Sequence, residues 1–496
     1  MTESDTDSLI TALPRSLWAS AQRAAGMLRE SSTVRVASHI DADGISAAAI
    51  AKSTLKRLGK GCEVEFFKKL DDEAISRLKK TSEGLLWFTD LGSGSARKIE
   101  CVSAVVTDHH APDTPSRTDR GGQSLLTDFS TVLQVNPHQH GISGASELSG
   151  AGSTFLVSLA VDRGNAGVSW LAVLGAVGDL QDQRTRRLEG VNRAILGLAK
   201  SRGLVDAFED IRYFGRETRP VHKMLEFSGD PFIPRISGNE EGAIGLLLEL
   251  GIDLKDGDAW RSWSGLTKAE KDSVLTALRD HLASMRRRPE VIERLVGEVY
   301  DFPTEKRGSV VRDAKEFSTL LNACGRHGRP EIGLAICSGD RGASLDEGLA
   351  LLRDHRSAIS KALSWAKGSG LIRLKNVQFF DAGDEIEDTI VGTVAGMLLG
   401  SEGADRTIPM VAFAESTEYS DLPKIKASAR GTQELVSRGM DLSAAMRAAA
   451  ERVGGVGGGH NIAAGATIPA EKRDEFLDAL DSIVGSQLVP RAQRRG

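Results

Sequence analysis

The sequence predicts an α/β protein whose first domain is built on a parallel sheet, and three observations carry that prediction. Short apolar runs alternate with segments whose apolar residues recur at three- to four-residue steps. The alternation restarts several times, and the runs end in acids or histidines. Strands alternating with helices imply right-handed crossovers and a sheet covered by helices on both faces.

In order, residues 16–29 read as a helix and residues 34–37 as a strand. The next segment brings Ala48, Ala51, Leu55 and Leu58 to one helical face. Residues 64–67 read as a strand, 72–79 as a helix, 85–89 as a strand, and "AVVT" at 104–107 ends another turn of the pattern. Residues 1–202 are expected to form this domain. Residues 203–303 are helical, charged and interrupted by prolines, as in "GRETRP" (215–220) and "MRRRPE" (285–290), and are expected to form a helical connector. From 304 to 496 alternation resumes in a second α/β domain, with glycine concentrated in "GGVGGGH" (454–460). The residues after Val489 are expected to be a frayed basic tail.

Bulk properties exclude several classes. With 63 Lys and Arg against 68 Asp and Glu, a net charge of -5 gives no global case for a nucleic-acid binder, so any basic surface is local. Cys62, Cys101, Cys324 and Cys337 never form a CxxC pair, which argues against a zinc ribbon or disulfide framework and for a reducing cytoplasm. The acidic, polar N-terminus and the absence of any long apolar stretch predict a soluble, unprocessed chain with no membrane partner.

The informative signal is where acids and histidines fall. The run at 34–37 leads into His39, Asp41 and Asp43 in "SHIDADG". The run at 85–89 leads into Asp90, and that at 104–107 into Asp108, His109 and His110. A later apolar run, "LAVLGAVGD", ends at Asp179. In an open parallel sheet the carboxyl ends of the strands line one edge, so residues distant in sequence would converge there. Asp90 or Asp179 alone would read as a helix cap or turn residue. Adjacent histidines resist that reading, because both imidazoles need partners, and three of the ten histidines fall at these ends. Carboxylate and imidazole without thiolate suit Mn²⁺ or Mg²⁺ better than a structural zinc. Six donors exceed what one ion needs, whereas two ions roughly 3.5–4 Å apart and sharing a carboxylate would use them for displacement at phosphorus. Alternation suggests that, if the extended backbone persists to Asp43, the three donors of "SHIDADG" project to one side, with Gly44 easing the turn into the helix.

The ordered set His39-Ile40-Asp41-Ala42-Asp43-Gly44, Asp90, Asp108-His109-His110 and Asp179 resembles the signature of the DHH phosphoesterases, and among them the archaeal RecJ-like exonucleases. "VNPHQHGISG", "SGAG", "GRETRP", "DPFIP" and "EFSTLLNACGR" extend the resemblance, and "ASARG" with "GGGHNIAAG" resembles the associated DHHA1 domain. The resemblance implies an N-terminal DHH domain, a helical connecting region and a C-terminal DHHA1 domain, with the active-site cleft between the domains. It implies that His39 and Asp41 bind one ion, that Asp43, His109 and Asp179 bind the other, and that Asp90 bridges them. His110 would then face the substrate phosphate and Asp108 would orient a histidine. Asp182, in "GDLQD", is a decoy. In bacterial RecJ an aspartate usually stands at the His39 position, and a histidine there resembles the archaeal branch and other DHH subfamilies.

In the second domain, Ser428 and Arg430 alternate along an extended run and share a face, and Arg430 suits bidentate phosphate recognition. Gly458, Gly459 and His460 would offer backbone and imidazole donors as an anion nest. The expected activity is a two-ion, Mn²⁺-dependent exonuclease, with Mg²⁺ as the alternative ion, releasing 5′-mononucleotides from single-stranded DNA or RNA. With aromatics only 5% of the chain, phosphate contacts would outweigh base stacking. The alternatives are hydrolysis of short oligonucleotides, cyclic dinucleotides or other small phosphoesters, and a role in the replicative helicase assembly through GINS.

Overall fold

The computed structural model describes residues 3–81, 84–99, 103–113, 132–401, 403–416 and 422–488. Cys101 and the basic tail expected after residue 489 lie outside the described residues. These residues divide into two compact units, residues 1–226 with 240–352, and residues 227–239 with 353–496.

In the first unit, five described strands, β1 (Val34–His39), β2 (Glu63–Phe67), β3 (Leu85–Thr89), β4 (Ala104–Thr107) and β5 (Val132–Val135), form a sheet in the order β2-β1-β3-β4-β5. Every pairing is parallel. The inner strands β3 and β4 are buried along their whole length and nearly all apolar because both faces are covered, whereas the edge strand β2 alternates with Glu63 and Glu65. Val36, Trp87 and Val105 enter a core shared with the helices Arg15–Glu30, Ala42–Arg57, Gly150–Val161 and Ser169–Gly178. Ala37, Leu86, Phe88 and Val106 enter the opposite core with Ile75 and Leu78. The register aligns Ser38 with Thr89, Thr89 with Thr107 and Thr107 with Val135, so the residues that follow stand abreast at one edge.

The segment 203–303 is helical in its middle, with Glu240–Glu249 and Lys268–Ser284, and is closed by an antiparallel pair of strands, Asp206–Ile211 and Val296–Asp301. "GRETRP" is structural: Arg216 is 3% exposed and donates to Asp313 at 2.9 Å and to Asp301 at 3.2 Å. The helix Ala314–Arg326 follows and packs against Ala42–Arg57 and Ser169–Gly178, which keeps residues 304–352 with the first unit.

The second unit is built on a mixed sheet in the order Ile372–Arg373, Gln378–Asp381, Met410–Glu415, Lys424–Arg430, Ala463–Pro469, Val456–Gly459. The glycine run folds into an edge strand, Val456–Gly459, and two glycines of the run have a packing reason: a Cβ on Gly455 would press on Thr467 O, and one on Gly457 on Met446 O, each at 2.6 Å. Among the described residues, no helix is long and apolar enough to cross a membrane.

Candidate metal centre

Three of the site's acids and histidines follow directly from strand ends. His39 closes β1, Asp90 follows β3, and Asp108 follows β4. The other positions are reached differently from the expected alternation. Asp41 is the N-cap of the helix Ala42–Arg57, accepting from Gly44 N at 3.0 Å, and Asp43 already lies in that helix's first turn. The backbone turns this sharply because Gly44 presses on β1: a Cβ there would overlap the His39 carbonyl oxygen. Asp179 comes from a helix, not a strand. Residues 169–178 are apolar all round because the helix is buried, a case in which periodicity does not separate helix from strand.

The donors nonetheless converge. His39, Asp41 and Asp90 offer ligand atoms that all lie within 4.8 Å of one another, and Asp43, His109 and Asp179 form a second such group. Asp90 stands at the junction, with Oδ2 3.5 Å from His39 Nδ1 and Oδ1 3.3 Å from His109 Nε2. It holds this place at φ 59°, a left-handed conformation uncommon for a residue other than glycine. His109 Nε2 is 3.0 Å from Asp179 Oδ2 and 3.8 Å from Asp43 Oδ2. The Asp43 carboxylate also accepts from Gly150 N at 2.7 Å and Ala151 N at 3.0 Å, at the N-terminus of the helix Gly150–Val161. That helix start is the "SGAG" stretch.

The residues fit a pair of divalent cations. His39 Nδ1, Asp90 Oδ1 and His109 Nε2 are buried and, among the described residues, make no well-directed hydrogen bond. His109 Nδ1 donates to Gly144 O at 2.6 Å, which turns Nε2 toward the acids. Burial, and then the Asp90 and Asp179 carboxylates, push Asp43 well above the usual carboxylate range. Burial and Asp41 push Asp90 upward too. Burial opposes a charge on His39 and His109, but the carboxylates around them raise both well above the ordinary imidazole value. Burial also opposes ionisation of Asp41, yet the His39 imidazole and Gly44 N–H hold its carboxyl low. The cluster thus takes up protons where cations would relieve it.

His110 differs from its neighbour. Its Nδ1 is 2.8 Å from Asp108 Oδ1, and its side chain is 48% exposed. Burial works against its protonation, but Asp108 raises its pKa. Asp108 also accepts from Ser93 N and His109 N, so its carboxylate is held by backbone donors beside both histidines. Asp182 is turned away, paired with Arg212 at 2.6 Å. One residue without a role in the sequence reading joins the site. Arg326, ending the helix Ala314–Arg326, is half-buried; desolvation lowers its pKa, while the Asp41 carboxylate acts on it in the opposite sense. The same helix brings Asn322 Oδ1 to accept from Ala42 N at 3.0 Å. "EFSTLLNACGR" contained the signal.

In the second unit, Ser428 is buried and Arg430 half-buried on the strand Lys424–Arg430, and Gly458, Gly459 and His460 lie on the edge strand and the turn after it.

Comparison with known proteins agrees with this architecture. Residues 213–296 match the DHH-CID domain and residues 374–486 the DHHA1 domain. An uncharacterized protein of Methanocaldococcus jannaschii is 30% identical over 460 residues, covering 92% of this chain and 94% of its own. Among solved structures, RecJ in complex with Mn²⁺ from Thermus thermophilus is similar with a TM-score of 0.55 at 18% identity, over 96% of this chain and 55% of that one. This chain therefore spans about half the length of that RecJ. Another exonuclease RecJ, bound to manganese, gives a TM-score of 0.54 at 18% identity over 98% of both chains. Cdc45 from Entamoeba histolytica gives 0.59 at 13% identity, over 91% of this chain and 95% of its own. Asp90, Asp108, His109 and His110 form a further such donor group, and a parallel-sheet unit with this acid and histidine cluster, joined to a DHHA1 domain, defines the class of DHH phosphoesterases. This chain belongs to the DHH family, as a RecJ-like protein.

Proposed function

We propose that the chain is a two-ion exonuclease that releases 5′-mononucleotides from single-stranded DNA or RNA, with Mn²⁺ or Mg²⁺ as its ions. The observation that carries this reading is the pair of donor groups meeting at Asp90, one carboxylate oxygen toward each. Bound there, divalent ions supply Lewis acidity toward a phosphodiester and lower the pKa of water enough for attack near neutral pH.

The protein's own groups do the rest. His39 and Asp41 hold one position, Asp43, His109 and Asp179 the other, and Asp90 is common to both. His110, whose protonated form Asp108 favours, presents Nε2 to a phosphoryl oxygen and donates a proton or hydrogen bond as charge develops. Arg326 adds a fixed positive charge beside Asp41. Ser428 and Arg430, with Gly458, Gly459 and His460, hold the phosphates of the strand. A helicase-assembly role through GINS is a second reading, supported by the likeness to Cdc45.

The test is hydrolysis of single-stranded DNA and RNA labelled at either end, with Mn²⁺ and with chelator. The reading expects mononucleotide release that requires the metal and vanishes in Asp43→Ala. Survival of long strands while dinucleotides disappear would replace it with the small-phosphoester alternative.

A further inference from the structure

The strand Lys424–Arg430 lies within the second unit's sheet, between Met410–Glu415 and Ala463–Pro469. Ala427 and Ala429 enter one core, with Leu442, Met446 and Phe476. Ser428 and Arg430 therefore face the other side of the sheet. Their cross-strand partners, Ala412 and Met410, are buried there with Val391, Val394 and Ala395 of the helix Val391–Leu399.

That helix carries glycines one turn apart, at 392 and 396, and both lie against Arg430. A Cβ on Gly392 would overlap Arg430 Nη2 and stand 3.1 Å from its Cζ and 3.2 Å from Ser428 Oγ. A Cβ on Gly396 would stand 3.7 Å from Arg430 Cγ and 3.8 Å from Cδ, which is ordinary contact. Neither glycine has a positive φ, so backbone conformation does not demand glycine at either position. Glycine inside a helix is disfavoured relative to alanine. At 392, the space that glycine leaves is taken by the guanidinium.

We infer that Gly392 is a positioning residue: its missing side chain lets the Arg430 guanidinium lie across the first turn of the helix beside Ser428 Oγ, so that the two present their donors together to a phosphate of the bound strand. The inference rests on the reading of the second unit as the strand-binding part. It also separates two glycines that look alike in sequence.

The experiment uses the full chain and fluorescein-labelled oligodeoxythymidylate, with affinity read by anisotropy in EDTA and hydrolysis read with Mn²⁺. Gly392→Ala displaces only the end of a flexible side chain and keeps a helical backbone, so its thermal midpoint is at or above that of the wild type. Its affinity falls about tenfold, the size of one lost charge-assisted hydrogen bond, and KM rises by the same factor with little change in kcat. Gly396→Ala keeps wild-type affinity. In Gly392→Ala/Arg430→Ala the loss equals that of Arg430→Ala alone. Unchanged affinity in Gly392→Ala, an equal loss in Gly396→Ala, or additive losses in the double variant overturn the inference. A wild-type protein that neither binds nor hydrolyses the strand overturns the nucleic-acid reading and this inference with it.

Discussion

Asp90 concentrates the chemistry of the site in one residue. It is buried in a left-handed backbone conformation, with one oxygen toward each donor group. Strain of this kind persists where the surroundings over-determine it, and function uses it. Cations that bind this cluster and not the unfolded chain stabilise the fold, by about 2.7 kcal/mol at a hundred times the dissociation constant. Mn²⁺ is therefore expected to raise the thermal midpoint of the wild type, and Asp90→Ala to abolish that rise in the same melting experiment. His110 belongs to a different step. His110→Ala is expected to lower kcat about a hundredfold or more while leaving the Mn²⁺-induced rise in melting temperature in place. A loss of that rise would make His110 a ligand. Residue types and order were enough to gather His39, Asp90, His109 and Asp179, but not their geometry. Asp41 is a helix cap as well as a donor, and Asp43 sits on another helix's N-terminus, 107 residues away in sequence. Arg326 was missed because an arginine in the last turn of a helix reads as an ordinary dipole partner.

Among the elements, the strands of the first sheet were the most legible, since fully buried parallel strands read as short apolar runs between helical periods. The helix Ser169–Gly178 was the least, because a segment apolar on every side has no periodicity to read. Composition also did not show that the glycine-rich stretch is a strand pressed against a helix. The Arg216 network ties the connecting segment to the helix Ala314–Arg326, and so to Arg326 at its far end. Arg216→Ala leaves Asp301 and Asp313 buried without their shared partner, and urea unfolding is expected to show a loss of about 3–5 kcal/mol. The network also carries a pH signature. Burial, against the pull of Arg216, pushes Asp301 up to about 6. Its folded value thus exceeds the unfolded value of about 3.9, so its contribution is full below about pH 4 and is lost as pH rises through about 6. Asp301→Asn is expected to flatten that part of the stability curve, and an unchanged slope would contradict the assignment.

For the whole molecule, the chain's division is set by packing, not by composition. Residues 304–352 read as the opening of a second α/β domain, yet their helices complete the first unit's core around the site, with Phe317, Leu320, Leu321 and Cys324 buried beside Ile45. No composition shift announces that a helix far along the chain supplies a wall of the metal centre. The donor groups, the helix that carries Arg326 and the sheet edge are one construction, whose central claim is that two cations share Asp90. The most direct measurement is the number of Mn²⁺ ions bound per chain, by titration calorimetry with metal analysis of the dialysed protein. The account predicts two ions in the wild type, one after His39→Ala, and neither after Asp90→Ala. A wild type that binds one ion or none, or an Asp90→Ala chain that keeps both, would contradict it.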